Sequence, residues 1–121
     1  MAAHNDYGKW GEQKAADFLA AEGYSICHRN WKSGHRDLDI VALSPDGNLL
    51  VIVEVKTRAN KDVTEPVTAV DRRKSRNLFN AANAYVRSFD VKRGLRFDII
   101  TVIGRGDTAQ IEHIEDAIRP Y

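Results

Sequence analysis

Four charged residues stand at the outer ends of two neighbouring apolar runs of the chain. Asp37 and Asp39 open the first run, and Glu54 and Lys56 close the second, which begins at Leu49. An apolar run of this kind is typical of a strand covered on both faces, where burying a lone carboxylate costs several kcal/mol. Something must therefore compensate these carboxylates.

A short turn fixes how the two runs meet. Residues 44–48 read Ser-Pro-Asp-Gly-Asn, which is typical of a tight turn. If the residues flanking the turn face each other, the antiparallel register pairs Asp39 with Glu54 and Asp37 with Lys56, all on one face. Opposed carboxylates destabilise a sheet, so the cluster predicts a hard divalent cation, Mg²⁺ first. The same residues also allow ordinary surface chemistry, an Asp–Lys cross-strand pair beside an exposed Glu.

The elements that must position these groups are predicted in the order helix, three strands, helix, two strands. The first helix should run from Asn5 or Asp6 to about Glu22, where Gly23 ends it. One stripe of this helix consists mainly of small residues that would let it approach the sheet closely: Gly8, Gly11, Glu12, Ala15, Ala16 and Leu19.

A strand at 24–31 leads into the hairpin, and a loop at 59–66 follows it. A capping box at 68–71 opens the second helix. The core face of that helix is predicted to be Leu78, Ala81, Ala82, Tyr85 and Val86. Strands at 95–103 and 109–114 complete the chain before a terminal extension, 116–121. The fold class is therefore α/β or α+β, a mixed sheet flanked by helices.

Length and composition indicate one soluble globular domain, residues 1–121. The chain is 43% hydrophobic and 29% charged, and no apolar run approaches the ~20 residues of a membrane span. The single Cys27 cannot form an internal disulfide, which agrees with a cytoplasmic location. Since Cys27 falls in a predicted strand, we expect a packed thiol.

Two basic clusters flank the acidic strand, although the net charge is only +1. Neutralisation of phosphates by such residues gives affinity for nucleic acid without reading sequence. A solvated helix face explains a charge run equally well. The clusters are Arg29, Lys32, His35 and Arg36, and Arg72, Arg73, Lys74 and Arg76.

The Asp on one strand followed by Glu-x-Lys on the next resembles the PD-(D/E)xK nuclease superfamily. The whole chain is similar to the YraN, or UPF0102, proteins, which are themselves similar to archaeal Holliday-junction resolvases. The family usually reads Gly-Glu-Ile-Asp, whereas here His35 and Arg36 lengthen the loop and Asp37 takes the place of the Glu. The matching segments follow in order: Gly11-Glu12, 29–31, 37–42, 53–58, Ala69-Val70 with Lys74, and 96–100.

This resemblance implies a restriction-endonuclease-like fold. It also implies an enzyme that hydrolyses phosphodiester bonds in DNA, including branched DNA such as Holliday junctions. Mg²⁺ or Mn²⁺ would be held by Asp39, Glu54 and the backbone carbonyl of Val55. Lys56 would orient or activate the attacking water, and Glu12 would complete the pocket. The residues expected to hold backbone phosphates are Arg36, Arg58, Arg72, Arg73, Lys74 and Arg76.

Several alternatives stay open from the sequence. One is a nucleic-acid-binding protein that keeps the nuclease fold with little or no catalysis. Another is an α/β protein whose acidic cluster is an ion-pair network and whose partner is a protein. Lys74 fits both a phosphate contact and a stem packed on the core. Asp98 could be a further acidic group at the site, but it could as easily pair with Arg96, and we therefore leave it out of the predicted site. A homodimer would use an edge strand or the second helix with Phe79 and Phe89.

Overall fold

The computed structural model describes residues 3–60 and 72–119 and has the predicted order of elements. The loop from residue 61 onward and the capping box at 68–71 lie outside the described residues. The elements are α1 (Ala3–Ala21), β1 (Ser25–Ser33), β2 (Arg36–Leu43), β3 (Leu49–Arg58), α2 (Arg72–Phe89), β4 (Gly94–Ile103) and β5 (Gln110–Ile114).

The five strands form one mixed sheet in the order β1-β2-β3-β4-β5. Three neighbouring pairs are antiparallel, and β3 pairs with β4 in parallel from Leu49 opposite Gly94 to Arg58 opposite Ile103. The carboxyl ends of β3 and β4 therefore lie at the same edge of the sheet. This confirms the predicted mixed sheet flanked by helices.

Each helix covers one face of the sheet, and each interface is a separate core. The predicted core face of α2 is confirmed at four positions, while Val86 is half-buried. The core under α2 contains Leu78, Ala81, Ala82, Tyr85, Leu38, Val41, Leu50, Ile52 and Ile99. The core under α1 contains Ala15, Ala16, Leu19, Ile40, Ala42, Val51, Val53, Ile100 and Val102.

The sequence predicted the end of α1 correctly but not its start. Gly23 ends the helix as predicted: its φ is 95°, and the N–H of Tyr24 donates to the carbonyl of Leu19 at 3.0 Å. The start was wrong, because α1 begins at Ala3 and places Asn5 and Asp6 inside the helix. Alanine has the highest helix propensity, which favours this extension.

The thiol of Cys27 is exposed, so the prediction of a packed thiol was wrong. The register of β1 with β2 shifts between Ile26 and His28, which leaves Cys27 outside the paired ladder. Such a bulge redirects the side chain of the extra residue. No helix within the described residues has both the length and the apolar character needed to cross a membrane.

Helix α1 approaches β3 closely at Gly11, as the small-residue stripe predicted. Gly11 is buried, and a Cβ built on it would overlap the methyl carbon Cγ2 of Thr57. A Cβ on Gly8, one turn earlier, meets nothing within 4 Å. The close contact fixes α1 against the strand that carries Glu54 and Lys56.

We expect Gly11→Ala to lower the free energy of unfolding by about 1–3 kcal/mol, because the added methyl group overpacks the contact with Thr57. Gly8→Ala is the matched control and should be neutral or raise stability by up to about 1 kcal/mol, since alanine favours the helix. Urea denaturation of both variants measures the difference. Equal effects of the two substitutions would show that α1 has room to move away from β3.

Candidate functional site

The turn sets the register of the β2–β3 hairpin as the sequence predicted. The N–H of Ser44 donates to the carbonyl of Leu49 at 2.9 Å, and the paired ladder runs from Leu43 opposite Leu50 to Ile40 opposite Val53. The ladder ends there, so the predicted cross-strand pairs of Asp39 with Glu54 and of Asp37 with Lys56 do not form as ladder pairs. A side chain takes over the next hydrogen bond.

That side chain is Asp39, whose Oδ2 accepts a hydrogen bond from the N–H of Val55 at 2.9 Å. The carboxylate thus stands where a backbone carbonyl of β2 would otherwise pair with β3. The half-buried Asp39 lies at the boundary between the two strands, next to the backbone segment that carries Glu54, Val55 and Lys56.

The predicted single face for Asp37, Asp39 and Val41 was wrong, because β2 does not alternate regularly. Leu38 and Val41 both pack in the core under α2, although an odd spacing should place them on opposite faces. The irregularity has a partner in β1, where Asn30 has a φ of 51° and lies outside the paired positions. Asparagine tolerates this left-handed conformation, and the register of β1 with β2 is the same on both sides of Asn30.

Burial and neighbouring charge act together on the Asp39 carboxyl. Burial, then the charge of Glu54, raise its pKa to about 7, and the hydrogen bond from Val55 offsets only part of this. Glu12 of α1 and Asp37 add smaller contributions in the same direction. The structure therefore brings Glu12, Glu54 and Asp37 into electrostatic range of Asp39.

Burial also raises the pKa of Glu54, with positive charge acting against it. Lys56 lowers this pKa most strongly, Asp37 raises it, and Lys74 lowers it. Asp39 and Glu54 thus form a half-buried pair of carboxylates, in which burial and the charge of Glu54 oppose ionisation of Asp39. A group that supplies positive charge is what the pair would bind.

A pocket of about 240 Å³ opens beside Glu54 and Lys56 on the side of α2. Lys74 lines it and acts on the pKa of Glu54, so its place agrees with the functional interpretation of this residue. Asp39 and Glu12 do not line this pocket. The lining residues are His35, Arg36, Asp37, Glu54, Lys56, Lys74, Asn77, Leu78 and Ile118.

Of the other predicted phosphate contacts, those with described side chains, Arg58, Arg73 and Arg76, do not line the pocket. Arg73 and Arg76 are exposed on α2, and the side chain of Arg72 lies outside the described residues. Arg58 is half-buried at the end of β3, and its carbonyl accepts a hydrogen bond from the hydroxyl of Tyr7 at 3.0 Å. Among the predicted phosphate contacts whose side chains the structure describes, Arg36 and Lys74 line the pocket.

Asp98 is occupied by a structural network, as the alternative interpretation of it held. Its buried carboxylate accepts hydrogen bonds from Arg96 at 2.8 and 2.9 Å, from the ring of His113 at 2.8 Å and from the N–H of Asp116 at 3.0 Å. Burial would raise its pKa, but these bonds outweigh burial and hold the pKa below its usual value.

Sequence reasoning missed Asn77 and Ile118 as walls of the pocket. Ile118 belongs to the predicted terminal extension, which returns to the sheet because the N–H of Ala117 donates to the carbonyl of Phe97 at 2.8 Å. The only available signal was the apolar pair Ala117-Ile118 in a polar stretch. Two residues are too few to show the periodicity of a helix or a strand.

The carboxylates of the site are too few to enclose a divalent cation by themselves. Within residues 3–60 and 72–119, no group of three or more His, Cys, Asp and Glu side chains is arranged to hold a metal ion. Mg²⁺ often binds through one or two carboxylates and takes its remaining ligands from water and substrate phosphate. Asp39 and Glu54, with the carbonyl of Val55, would supply that smaller set.

Comparisons with known proteins agree on one family. The model of the family described as "Uncharacterised protein family UPF0102" matches residues 11–102. A UPF0102 protein of Bacteroides thetaiotaomicron is 49% identical over 120 residues, covering 99% of this chain and 98% of the relative. One from Flavobacterium psychrophilum is 45% identical over 117 residues, covering 97% of each chain.

Among solved structures, the chain is similar to Pyrococcus furiosus SfsA in complex with Ca²⁺. The TM-score is 0.39 and the sequence identity 16%. The match covers 89% of this chain, and the chain spans 62% of the length of that structure.

The raised pKa of Asp39 predicts how stability changes with pH when divalent ions are removed with EDTA. The folded protein keeps this proton up to about pH 7, whereas the unfolded chain loses it near pH ~4. The folded state then binds more protons in this window, so the free energy of unfolding falls as the pH rises through it. Asp39→Asn keeps an oxygen for the N–H of Val55 and should be more stable than the parent at pH 8, by about 2–4 kcal/mol.

Urea denaturation between pH 4 and pH 8 measures this effect. The exposed Asp37, changed to Asn, is the control, because it removes a neighbouring charge and leaves the buried carboxyl in place. The pH dependence should persist in Asp37→Asn and flatten in Asp39→Asn. An unchanged slope in Asp39→Asn would mean that another group binds the proton.

Proposed function

Because this chain belongs to the UPF0102 family, we propose that it is a metal-dependent endonuclease of the PD-(D/E)xK type that hydrolyses phosphodiester bonds in DNA. Branched DNA, including Holliday junctions, is the substrate class we expect. The observation that carries the proposal is the half-buried pair of carboxylates, Asp39 and Glu54, in which the charge of Glu54 raises the pKa of Asp39. Glu54 lines the pocket together with Lys56 and with cationic residues of β2 and α2.

The carboxylate pair and the carbonyl of Val55 would hold Mg²⁺ or Mn²⁺. When bound, such a cation lowers the pKa of a coordinated water and stabilises negative charge on the phosphate. The Asp39 carboxylate is already oriented, because its Oδ2 is tied to the N–H of Val55. Its Oδ1 is the oxygen that we assign to the cation. The repulsion between the two carboxylates favours this occupant over a neutral one.

Lys56 lines the pocket next to Glu54 and is the residue that we assign to the attacking water and to the developing phosphate charge. Its charge lowers the pKa of Glu54, which keeps Glu54 more readily ionised as a ligand. Glu12, within α1, contributes to the raised pKa of Asp39. It would orient a water at the same cation.

Arg36 and Lys74 line the pocket and would hold the DNA backbone there. Further along α2, Arg73 and Arg76 are exposed and would contact phosphates farther from the cleaved bond. These contacts give affinity that does not depend on sequence. A substrate recognised by shape is consistent with this set of residues.

A second candidate function is DNA binding on the same fold with little or no catalysis. One observation favours it: Asp39 does not line the pocket that Glu54 and Lys56 line. Catalysis requires both carboxylates to reach one cation, whereas binding requires only the cationic walls. Cleavage assays separate the two functions.

We expect nicking of a four-way junction in the presence of Mn²⁺ or Mg²⁺, and none in EDTA. Glu54→Gln and Lys56→Ala should each lower the rate about 100-fold or more, as expected for groups that act on the charge of the transition state. Glu22→Gln changes an exposed carboxylate at the end of α1 and is the control. Duplex and flap substrates in parallel define the structural preference.

Cleavage that survives both substitutions would belong to another site or to a contaminant. Junction binding without any metal-dependent cleavage would select the second candidate. Thermal melting of each variant distinguishes a lost catalytic group from a lost fold.

Salt dependence tests the phosphate contacts independently of cleavage. Each phosphate neutralised contributes close to one unit to the log–log slope of the binding constant against salt, so Arg36→Ala and Lys74→Ala should each reduce that slope by about 1. Lys92→Ala is the control, because Lys92 is highly exposed and pairs with Asp90 at 2.9 Å. A slope near zero for the parent protein would remove both nucleic-acid functions.

A further inference from the structure

A second depression, of about 300 Å³, lies at the carboxyl edge of β3 and β4. It is lined by Asp6, Tyr7, Trp10, Arg105 and Gly106. The function proposed above uses none of these residues. They come from the first turns of α1 and from the turn that follows β4.

Two parallel aromatic rings with cations beside them form this surface. The ring centroids of Tyr7 and Trp10 are 5.5 Å apart and their planes differ by 11°. The guanidinium of Arg105 lies 4.5 Å from the centre of the Tyr7 ring, and Lys14 Nζ lies 5.9 Å from the centre of the Trp10 ring. Flat aromatic and guanidinium surfaces with adjacent positive charge are what unstacked nucleobases stack on.

Tyr7, Trp10 and Arg105 together form what we call the platform, and the ends of both parallel strands hold it in place. The hydroxyl of Tyr7 lies 3.0 Å from the carbonyl oxygen of Arg58 and 2.8 Å from that of Gly104, and it is the donor to both. The N–H of Gly104 also donates to the carbonyl of Arg58 at 2.8 Å. Because Tyr7 is fixed at both strand ends, the ring does not need to be ordered when a ligand binds.

The position of the platform relates it to the candidate active site. Arg58 follows Lys56 by two residues in the same strand, a separation of about 7 Å. The pocket opens on the side of α2, whereas Tyr7 and Trp10 belong to α1 on the other face. A DNA strand with a phosphate at Lys56 would therefore pass around the carboxyl edge of β3, where Tyr7 is anchored, to reach the platform.

We propose that the platform, defined as Tyr7, Trp10 and Arg105, stacks an unpaired nucleobase of the strand that enters the candidate active site. This rests on the proposed function and narrows its substrate to DNA with unpaired bases beside the cleaved bond. Both faces of a base within a duplex are covered by its neighbours, whereas bases at junctions, flaps and single strands have a free face. Stacking of this kind tolerates any sequence.

The charges of the depression favour a base over a bare phosphate. Asp6 lines it together with Arg105. A carboxylate repels phosphate but accepts hydrogen bonds from the amino or imino groups at the edge of a base. The aromatic faces add nothing to the binding of a phosphate.

Fluorescence of Trp10 measures this contact directly. The chain has two tryptophans, so Trp31→Phe leaves Trp10 as the sole one. In this variant, in EDTA, we expect a single strand of twelve thymidines to quench Trp10. A strand of the same length with abasic sites has the same phosphates but no bases, and should bind about tenfold more weakly or worse, with little quenching.

Substitutions in the Trp31→Phe background and in the parent test the residues separately. Arg105→Ala should weaken binding of the single strand about tenfold and leave duplex binding unchanged. Arg87→Ala is the matched control, since it removes one exposed arginine from α2.

Trp10→Ala, followed by fluorescence anisotropy of a labelled strand, should have the same effect as Arg105→Ala. Because Trp10 is half-buried, Trp10→Ala could also lower affinity by disturbing the fold. Trp10→Phe keeps an aromatic ring and should retain affinity, which would show that Trp10→Ala loses stacking.

Equal binding of the abasic and the thymidine strands, or equal effects of Arg105→Ala and Arg87→Ala, would overturn the platform. None of these measurements requires cleavage or a bound metal. Base-dependent quenching in a protein that does not cleave would therefore support the platform and reject the nuclease. Cleavage without base dependence would do the reverse.

Discussion

The hydrogen bond from the N–H of Val55 to the carboxylate of Asp39 determines the shape of the candidate site. A side-chain oxygen replaces the backbone acceptor that β2 would otherwise present, so β2 stops pairing with β3 at Ile40. Strand β3 continues beside β4 to Arg58. The last residues of β3 are therefore paired on one side only, and the space on the other side becomes the pocket that Glu54 and Lys56 line.

The same bond places a charge where the fold gains little from it. Burial and the neighbouring Glu54 both disfavour the ionised form of Asp39, and a single N–H offsets only part of that penalty. A chain selected for stability alone would place an apolar residue here. Local destabilisation of this kind is typical of functional sites, where binding of the missing partner relieves it.

The fold was largely predictable, because its determinants are local in sequence. The turn at 44–48 set the hairpin register, Gly23 ended α1, and the small residues around Gly11 predicted the close contact with β3. What escaped prediction depends on contacts between distant segments. The left-handed Asn30 and the break in alternation at Asp39 arise together across two strands, and the bulge that exposes Cys27 arises in the same pairing. For the same reason, the sequence could indicate which residues carry charge at the site but not that Asp39 and Glu54 would differ in access to the pocket.

The return of the chain after β5 has a consequence for the order in which the protein assembles. The carboxylate of Asp98, on the face covered by α1, accepts the N–H of Asp116, and the following residues cross to the face covered by α2, where Ile118 closes the pocket. The pocket walls thus come from segments far apart in the chain, from His35 to Ile118. Contacts between such distant residues carry a large loop-closure entropy. Because Ile118 lies near the end of the described chain, we expect the pocket to close only when the segment after β5 has docked, so that a nascent chain acquires its binding surface as one of the last steps of folding.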